Sequence, residues 1–246
     1  NEAFNGMVED LKRWQDFQKQ AARVERLAAL GSVAAAVAHE VKNPLASMRI
    51  HLDLLKGRLP EGERESVAIL GTELDRLNQT VSQLLSYARP RPPLFGPFEA
   101  RELLGWIASM TATPCRLAGV MQSWSAEEGC PPLWGDEQQL KQVLLNLVLN
   151  AIGAQPDGGS VTLAARGEGR FVSISVADEG PGIPPELLER IFDPFFTTRP
   201  EGTGLGLSIV HRIVEGHGGR IDVETSERGT VFTLALPAAP RGKKES

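Results

Sequence analysis

Cysteine, an excess of basic charge and long apolar runs are all scarce in this chain of 246 residues. Its two cysteines, Cys115 and Cys130, stand in no metal-ligand spacing, and two isolated cysteines favour reduced thiols over a disulfide framework. The formal net charge of −5 offers no electrostatic basis for nucleic-acid binding. The longest uncharged helical stretch, from Leu27 to Ala38, is far shorter than the roughly 20 apolar residues that span a bilayer. We therefore expect no nucleic-acid partner and no membrane-spanning segment in this sequence.

The composition is otherwise that of a globular protein, with 41% hydrophobic and 23% charged residues. A chain of this length can hold one large domain or two ordinary ones, and we expect two.

Apolar residues recur every three or four positions in two long stretches, which is the spacing of a heptad seam. The first stretch runs from Ala34 to Leu59, and after the turn-forming sequence RLPEGERES the same spacing resumes from Val67 to Ala88. This pattern predicts a helical hairpin. Because two helices cannot enclose such a seam, we expect two hairpins to form a dimeric four-helix bundle. A single surface helix on a monomer is the alternative.

The proline-rich segment ARPRPPLFGP separates the hairpin from the rest of the chain, because it holds too much proline for a helix or a central strand. We place a semi-rigid linker over residues 90–97 and a second domain over residues 98–240. That domain mixes helical patterns (ARELLGWIASM, EQQLKQVLLNLVLNAIGA and GLGLSIVHRIVEGH) with β-rich runs (SVTLAAR, FVSISVAD, RIDVET and TVFTLALP). We therefore predict an α+β fold, in which an α/β sandwich with a mixed sheet and helices on one face follows the hairpin.

One histidine in the first predicted helix has unusual neighbours. His39 points away from the seam toward solvent, where a lone histidine is usually a solvated surface residue. Glu40 can hold one ring nitrogen as N–H and leave the other nitrogen with a free lone pair. Pro44 cannot donate to the carbonyl of Glu40, so the helix is weakened just after the histidine. These neighbours favour His39 as a nucleophile.

Four clusters in the second domain together suit a single ligand. Asn146 and Asn150 are four residues apart on one helix face, and their amides suit a hard cation and phosphate. Asp178 ends a predicted strand, and Gly180 and Gly182 follow it, so a flat ring could approach the backbone closely beside a carboxylate acceptor.

The remaining two clusters lie further along the chain. IFDPFFTTR contains the aromatic pair Phe195 and Phe196 and an isolated Arg199, and three glycines in EGTGLGLSIV open a helix whose free N–H groups suit phosphates. Taken singly, each cluster has an ordinary explanation: the asparagines could be caps or surface residues, the glycines could make turns, and the two phenylalanines favour core packing over ligand contact.

Five motifs, in this order and at this spacing, resemble those of bacterial two-component sensor histidine kinases. AHEVKNPL is similar to the phospho-acceptor motif, NLVLNA to the asparagine box, DEGPGI to the first glycine box, FDPFFTTR to the phenylalanine box and GTGLGLSIV to the second glycine box. The resemblance covers residues 30–237. It implies a dimerisation and histidine phosphotransfer domain over residues 30–89, followed by an ATP-binding domain of the type shared with DNA gyrase and mismatch-repair ATPases.

The resemblance also implies the chemistry and the partners. His39 would take the γ-phosphoryl group of ATP, bound with Mg²⁺, and pass it to an aspartate in the receiver domain of a response regulator. Glu40 would assist the first step, and Asn43 resembles a family residue implied in dephosphorylating the regulator. The active unit would be a homodimer.

For the nucleotide site, the resemblance implies that Asn146, with Asn150, holds Mg²⁺ and phosphate, and that Asp178 accepts from the adenine amino group. Asn146 is the only metal ligand we expect, and the segment from Phe192 to Gly206 would cover the nucleotide as a lid. The full set of nucleotide-binding residues that we expect is Asn146, Asn150, Asp178, Gly180, Gly182, Ile183, Phe195, Arg199, Gly202, Thr203, Gly204, Leu205, Gly206 and Thr230.

One departure from the family concerns the residues after the second asparagine. Many relatives carry a lysine or arginine there, whereas Gly153 and Ala154 follow Asn150 in this sequence. We infer that neutralisation of the phosphates rests more on Mg²⁺ and Arg199.

The N-terminal sequence AFNGMVEDL is similar, over a short stretch, to the closing helix of the HAMP signal-relay module, and we expect a signalling coiled coil over residues 1–29. The chain begins in helical pattern without an initiator methionine, so we expect a fragment that lacks an upstream sensor domain. We expect the fragment itself to be cytoplasmic and leave open whether the full-length protein is anchored in the inner membrane.

Two other functions compete with the kinase. The first is an ATPase that drives conformational change without phosphotransfer, and the second is a non-catalytic dimeric signalling scaffold. A reactive histidine in the hairpin argues against the first, and an intact set of nucleotide-site residues argues against the second.

Overall fold

The computed structural model describes residues 41–57, 59–60, 64–88, 91–199 and 202–240. These residues divide into two compact units between Arg91 and Pro92. The predicted coiled coil over residues 1–29 lies outside the described residues, and so do His39 and Glu40.

Two helices form the described part of the first unit. α1 is described over residues 41–56, with Pro44 inside it, and α2 is Arg64–Ala88, so both predicted helices are confirmed. α1 ends before the expected Leu59, because Gly57 is a poor helix former and Pro60 disfavours helical backbone at the residue before it. Arg49 on α1 bonds Asp75 on α2 at 2.5 Å and so joins the two helices.

The first unit covers only part of its heptad seam. Leu45, Val67 and Leu74 are buried, with exposed fractions of 6%, 8% and 7%. Four other seam residues, called here the uncovered stripe, remain about half exposed: Met48, Leu55, Leu70 and Leu77. A single hairpin therefore leaves apolar surface along one side of the seam.

The second unit contains three α-helices and seven strands among the described residues. The helices are α3 (Ala100–Leu117), α4 (Glu137–Gly153) and α5 (Gly206–Gly216), and a short 3₁₀ turn spans Pro185–Leu187. The strands are β1 (Gly96–Phe98), β2 (Val120–Ala126), β3 (Leu133–Gly135), β4 (Gly159–Glu168), β5 (Phe171–Asp178), β6 (Arg220–Ser226) and β7 (Gly229–Pro237). No helix within the described ranges combines the length and the apolar character needed to cross a membrane.

Five strands form the main sheet in the order β2-β4-β5-β7-β6. β2 and β4 are parallel and every other neighbouring pair is antiparallel, which confirms the α+β class and the mixed sheet. β1 and β3 form a separate antiparallel pair.

The core of this unit lies between one face of the main sheet and the three helices. Val161, Leu163 and Ala165 alternate with more exposed residues along β4, as expected for a strand with one covered face. α3 contacts β2 and β4, α4 contacts β5, and α5 contacts β6, so the helices cover that face. Because side chains alternate, β5 and β7 present every second residue to the same helices.

Three strands have no counterpart in the prediction. Only Val120 is buried among the seven residues of β2, which is an edge strand, so its sequence lacks the alternation that marks a half-buried strand. β1 and β3 have three residues each, too few for a periodic pattern. Gly96 and Pro97, at the end of the expected linker, form part of β1.

Asp136 connects the end of the linker to the start of α4. Its Oδ1 accepts the N–H groups of Gln138 and Gln139 as an N-cap, and its Oδ2 accepts the N–H of Leu94 at 2.7 Å. The backbone N–H of Asp136 donates to Nε2 of the buried His217 at 2.9 Å. One carboxylate thus fixes both the linker end and the helix that carries the two asparagines.

Candidate functional site

Asp178 is the last residue of β5 and lies on the covered face of the sheet. Its partners across the ladders are Val161 on β4 and Thr230 on β7, and both are buried. Its Oδ1 accepts the backbone N–H of Gly180 at 2.9 Å and that of Thr230 at 3.3 Å. Burial raises the pKa of Asp178, although these hydrogen bonds and the charge of Arg199 act in the opposite direction. The carboxylate keeps further lone pairs that can accept from a ligand.

The turn after Asp178 is held against the β6–β7 hairpin. Gly182 has a φ of +76°, and a Cβ at this position would collide with the backbone carbonyl of Ser226, so only glycine fits. The next residue, Ile183, donates its N–H to Oγ1 of Thr225 at 2.8 Å. Thr225 and Thr230 share a hydrogen bond of 3.2 Å between their hydroxyl groups. The turn is therefore tied through Thr225 to Thr230, whose backbone N–H donates to Asp178.

The two asparagines of α4 lie beside the start of α5. Asn146 and Asn150 are four residues apart, and the amide nitrogen of Asn146 donates to the carbonyl of Gly206 at 3.4 Å. A Cβ on Gly206 would lie 4.0 Å from the amide carbon of Asn146 and 3.9 Å from the amide nitrogen of Asn150. Because the amide nitrogen of Asn146 faces the protein, its oxygen is left to face a cation or another donor.

α5 starts without a side-chain cap at its N-terminus. Leu205 occupies the N-cap position and offers no hydrogen bond from its side chain, and Thr203 accepts the N–H of Leu205 through its Oγ1 at 3.3 Å. The first N–H groups of a helix lack partners within the helix and carry partial positive charge. This N-terminus, next to the amides of α4, is therefore suited to phosphate groups.

In the segment before α5, the backbones of Phe195 and Gly204 are in direct contact, and both residues have left-handed backbone conformations. Each has a φ of +66°, and Phe195 is the one non-glycine residue with positive φ in the part of the chain that the structure describes. The N–H of Phe195 donates to the carbonyl of Gly204 at 3.0 Å, and a Cβ on Gly204 would collide with the backbone of Phe195. The Phe195 side chain is 60% exposed, so the expected core packing is wrong for this residue. Its strained backbone holds an aromatic ring at the surface.

Arg199 reaches from the same segment to the C-terminal end of α4. Its Nη2 donates to the backbone carbonyl of Asn150 at 2.8 Å, and its guanidinium lies over Gly153. Oγ1 of Thr197 accepts the backbone N–H of Arg199 at 3.1 Å. Loss of hydration lowers the pKa of Arg199, and the charge of Asp178 opposes that shift, so the guanidinium stays cationic.

Two family models together match most of the chain. The model for the His Kinase A (phospho-acceptor) domain matches residues 29–93, and the model for the histidine kinase-, DNA gyrase B- and HSP90-like ATPase matches residues 135–240. The chain belongs to the two-component sensor histidine kinases.

The chain is similar over most of its length to curated relatives and solved structures. The sensor histidine kinase ZraS of Klebsiella oxytoca is 40% identical over 95% of this chain and 52% of that protein. A structure of ThkA in complex with the response regulator protein TrrA has a TM-score of 0.65 and 34% identity, and the match covers 93% of this chain and 67% of that chain. Full-length ShkA in complex with AMPPNP has a TM-score of 0.75 and 30% identity, over 85% of this chain and 46% of that chain. The chain spans about half the length of the ZraS relatives it matches.

The kinase brings several of the predicted nucleotide-site residues to one end of its sheet. Asn146, Asn150, Asp178 and Arg199 are linked by the contacts described above, and a Cβ on Gly180 would lie 3.0 Å from the Cβ of Ala154, just after α4. Thr230 pairs with Asp178 across the sheet, and Gly206 begins α5 beside the two asparagines. The other predicted residues lie in the turn after β5 or in the segment before α5: Gly182, Ile183, Thr203, Gly204 and Leu205. Gly202 and Phe195 are exposed, and Asn43 is an exposed residue of α1 in the first unit.

Two residues of this region were not among the predictions. Gln155 is buried, and its Oε1 accepts the N–H groups of Ser160 at 2.9 Å and Glu179 at 3.3 Å while its Nε2 donates to Ala151 at 3.0 Å. It thereby ties the end of α4 to the residue after Asp178. On the other side of the turn, Oγ1 of Thr225 accepts the N–H of Ile183 and so ties the turn to β6. Both roles depend on contacts between distant segments, which no local pattern in the sequence reveals.

The donor set is compatible with Mg²⁺ held mainly by phosphate oxygens. No group of three or more histidine, cysteine, aspartate or glutamate side chains is placed to hold a metal in the described part of the kinase. Mg²⁺ usually takes only one or two protein ligands beside substrate phosphates and water. The free amide oxygen of Asn146 fits that pattern, since it is a neutral, hard ligand beside the predicted phosphate position.

Proposed function

We propose that this chain is the transmitter of a two-component system, which transfers the γ-phosphoryl group of ATP to His39 and then to an aspartate in the receiver domain of a response regulator. The observation that carries the proposal is the joining of Asp178, the α4 amides and the uncapped start of α5 at one end of the sheet. These groups offer an acceptor for a base amino group and donors for phosphates within one unit. We propose residues 30–89 as the phosphotransfer domain and residues 98–240 as the ATP-binding domain.

In the proposed nucleotide complex, Asp178 accepts a hydrogen bond from the adenine amino group, and Thr230 lies beside it. The first N–H groups of α5 and the guanidinium of Arg199 neutralise phosphate oxygens. Mg²⁺, held by Asn146, would supply further charge neutralisation on those oxygens. AMPPNP bound to the relative ShkA supports a nucleotide at this kind of site.

The proposed reaction has two steps. In the first, an imidazole nitrogen of His39 forms a bond to the γ-phosphorus, the bond from that phosphorus to the β–γ bridging oxygen breaks, and ADP departs with the electron pair. Glu40 holds the proton on the other ring nitrogen, so the attacking nitrogen keeps its lone pair. In the second step, a carboxylate oxygen of the receiver aspartate takes the phosphoryl group and the P–N bond breaks.

The partner and the wider protein are part of the proposal. The complex of the relative ThkA with the response regulator protein TrrA supports a receiver domain as the acceptor. Because the chain spans about half of its ZraS relatives, we propose that it works with an upstream sensor segment. An ATPase without phosphotransfer is the second candidate, and the match of residues 29–93 to the phospho-acceptor model favours the kinase.

The experiment that tests the proposal is self-labelling with γ-labelled ATP and Mg²⁺. We expect a label that is lost in acid and stable in alkali, as a phosphoramidate is, and we expect His39→Gln to abolish it. His51→Gln is the matched control, because His51 is an exposed histidine of α1 and should have no part in the reaction. Label of the same stability in His39→Gln would show that the acceptor assignment is wrong, and ATP hydrolysis without any label in the wild type would favour the ATPase.

A further inference from the structure

The last turn of α4 has a gap on its surface, and Arg199 fills it. Gly153 is the final residue of this helix. A Cβ built on Gly153 would collide with Nη1 of Arg199 and lie 3.0 Å from its Cζ and 3.4 Å from its Nη2. Three atoms of the guanidinium therefore crowd the position that a side chain at residue 153 would occupy.

Helix geometry does not require glycine at this position. Gly153 is helical and exposed, and the following Ala154 has an ordinary right-handed conformation with φ −80° and ψ −8°. Alanine forms helices more readily than glycine, so helix stability alone favours a side chain here. Gly153 thus differs from Gly182 and Gly204, whose positive φ and close backbone contacts require glycine.

The charges around Arg199 explain why its guanidinium occupies the space left by Gly153. α4 carries no basic residue in its last turn, so this end of the helix supplies no cation of its own. Carbonyl groups at a helix C-terminus carry partial negative charge, and Arg199 donates to one of them, the carbonyl of Asn150, at 2.8 Å. The carboxylate of Asp178 also attracts the guanidinium through its charge. The cation is consequently held at the C-terminal end of the helix that carries the two asparagines.

We propose that Gly153 is a positioning residue. Because it has no side chain, the guanidinium of Arg199 can pack against the last turn of α4 next to Asn150, where its positive charge neutralises the phosphates of ATP. This inference rests on the proposed function. A methyl group at residue 153 would meet the flexible end of Arg199 and not backbone, so it would move the guanidinium without disturbing the fold.

The test compares Gly153→Ala, Arg199→Ala and the double variant in the full chain, with calorimetric affinities for ATP and for adenosine. Arg199→Ala should weaken ATP binding by about tenfold, since a contact to a charged group is lost, and leave adenosine affinity unchanged. Gly153→Ala should weaken ATP binding by at least about threefold in the same selective way. In the double variant the loss should equal that of Arg199→Ala alone, because Gly153 acts only through Arg199. Gly216→Ala is the matched control, since Gly216 also ends a helix and its Cβ would meet nothing within 4 Å.

Each outcome separates this inference from the proposed function. Wild-type ATP affinity in Gly153→Ala, or losses that multiply in the double variant, would overturn the inference and leave the kinase proposal standing. Weaker binding of ATP and adenosine alike would also overturn it, because the effect would then be a general disturbance of the site. A wild-type chain that binds no ATP would overturn the proposed function and this inference together.

Discussion

The partly buried carboxylate of Asp178 should make stability and ATP affinity change with pH in opposite directions. Burial raises the pKa of Asp178 in the folded chain above the ordinary value of 3.8 that the unfolded chain has. Below 3.8 the group is protonated in both states, and as pH rises from there through the folded pKa the folded chain loses stability, because the unfolded chain ionises this carboxyl more readily. Over the same range ATP affinity should rise, because the ionised carboxylate accepts from the adenine amino group.

The measurements are urea unfolding and ATP calorimetry at a series of pH values. Asp178→Asn cannot ionise, so both trends should flatten in this variant. Asp178→Ala should abolish ATP binding and labelling while the sedimentation of the chain stays unchanged, since the uncovered stripe lies in the other unit. Equal pH slopes in the wild type and in Asp178→Asn would assign the pH dependence to other groups.

Asn43 should separate the proposed self-labelling activity of this chain from a proposed phosphatase activity toward the response regulator. It lies four residues after His39 in the sequence and is exposed on α1, and its amide can orient a water without acting as a base. Dephosphorylation of a receiver aspartate needs an aligned water, whereas transfer from ATP to histidine does not. Asn43→Ala should therefore keep most self-labelling and lose at least about tenfold in phosphatase rate.

The assay uses the receiver domain that this chain phosphorylates fastest in a panel, isolated in its phosphorylated form. Ser47→Ala, one turn further along α1 and equally exposed, is the matched control. Glu40→Ala should show the reverse pattern, with the loss mainly in self-labelling. Dephosphorylation at the wild-type rate by Asn43→Ala would leave Asn43 as an ordinary polar residue before Pro44.

Among the elements, α4 should depend on the shared carboxylate at its N-terminus. Asp136→Ala removes the cap and leaves the N–H of Leu94 without its side-chain acceptor, so the free energy of unfolding should fall by about 2 kcal/mol. Asp136→Asn keeps a good cap and loses only the acceptor for Leu94, so the free energy of unfolding of this variant should fall by about 1 kcal/mol. Urea unfolding followed by tryptophan fluorescence measures both. Asp157→Ala, at an exposed position after α4, should change the free energy of unfolding by no more than about 0.5 kcal/mol. If Asp157→Ala lost as much stability as Asp136→Ala, the capping role of Asp136 would not explain its effect.

The elements with a strong local period could be predicted, and those without one could not. α4 and α5 bury a repeated stripe, and β4 alternates along one covered face, so their sequences carry the pattern of the structure. β2 lies at the edge and buries one residue, and its place in the sheet depends on parallel pairing with β4, which lies more than thirty residues away in the sequence. Long-range pairing of this kind leaves no local period to detect.

The candidate site divides in the same way. Asp178, the asparagines and the glycines could be proposed because they fall in ordered motifs, and hydrogen bonds join Asp178 to Gly180 and Asn146 to Gly206. Gln155 and Thr225 could not, because each works through hydrogen bonds to residues of other elements. The contact between the Arg199 guanidinium and Gly153 joins residues that are 46 positions apart in the sequence. The sequence indicated only that α4 lacks a basic residue near its C-terminus.

For the whole molecule, we predict a dimer through residues 34–88. The uncovered stripe leaves apolar side chains half exposed in a single hairpin, and a second copy would bury them. Leu70→Lys with Leu77→Lys changes four side chains in a symmetric interface, so the dimer should weaken by at least about a hundredfold in sedimentation. Leu117→Lys, on α3 and 80% exposed, introduces the same charge and should leave the dimer intact. A wild-type chain that sediments as a monomer would contradict the prediction.

Three glycines of the second unit, Gly182, Gly204 and Gly229, indicate the family of the chain and not whether it is active. A side chain on Gly182, Gly204 or Gly229 would collide with backbone atoms of Ser226, Phe195 or Asp178, and no change of rotamer relieves such a collision. A descendant that had stopped using ATP would still need these glycines to fold, while it would be free to lose Asp178 and Asn146. In a genome survey, intact glycine motifs would therefore identify the lineage, and under the proposed function the Asp178 carboxylate and the Asn146 amide would separate active enzymes from inactive ones.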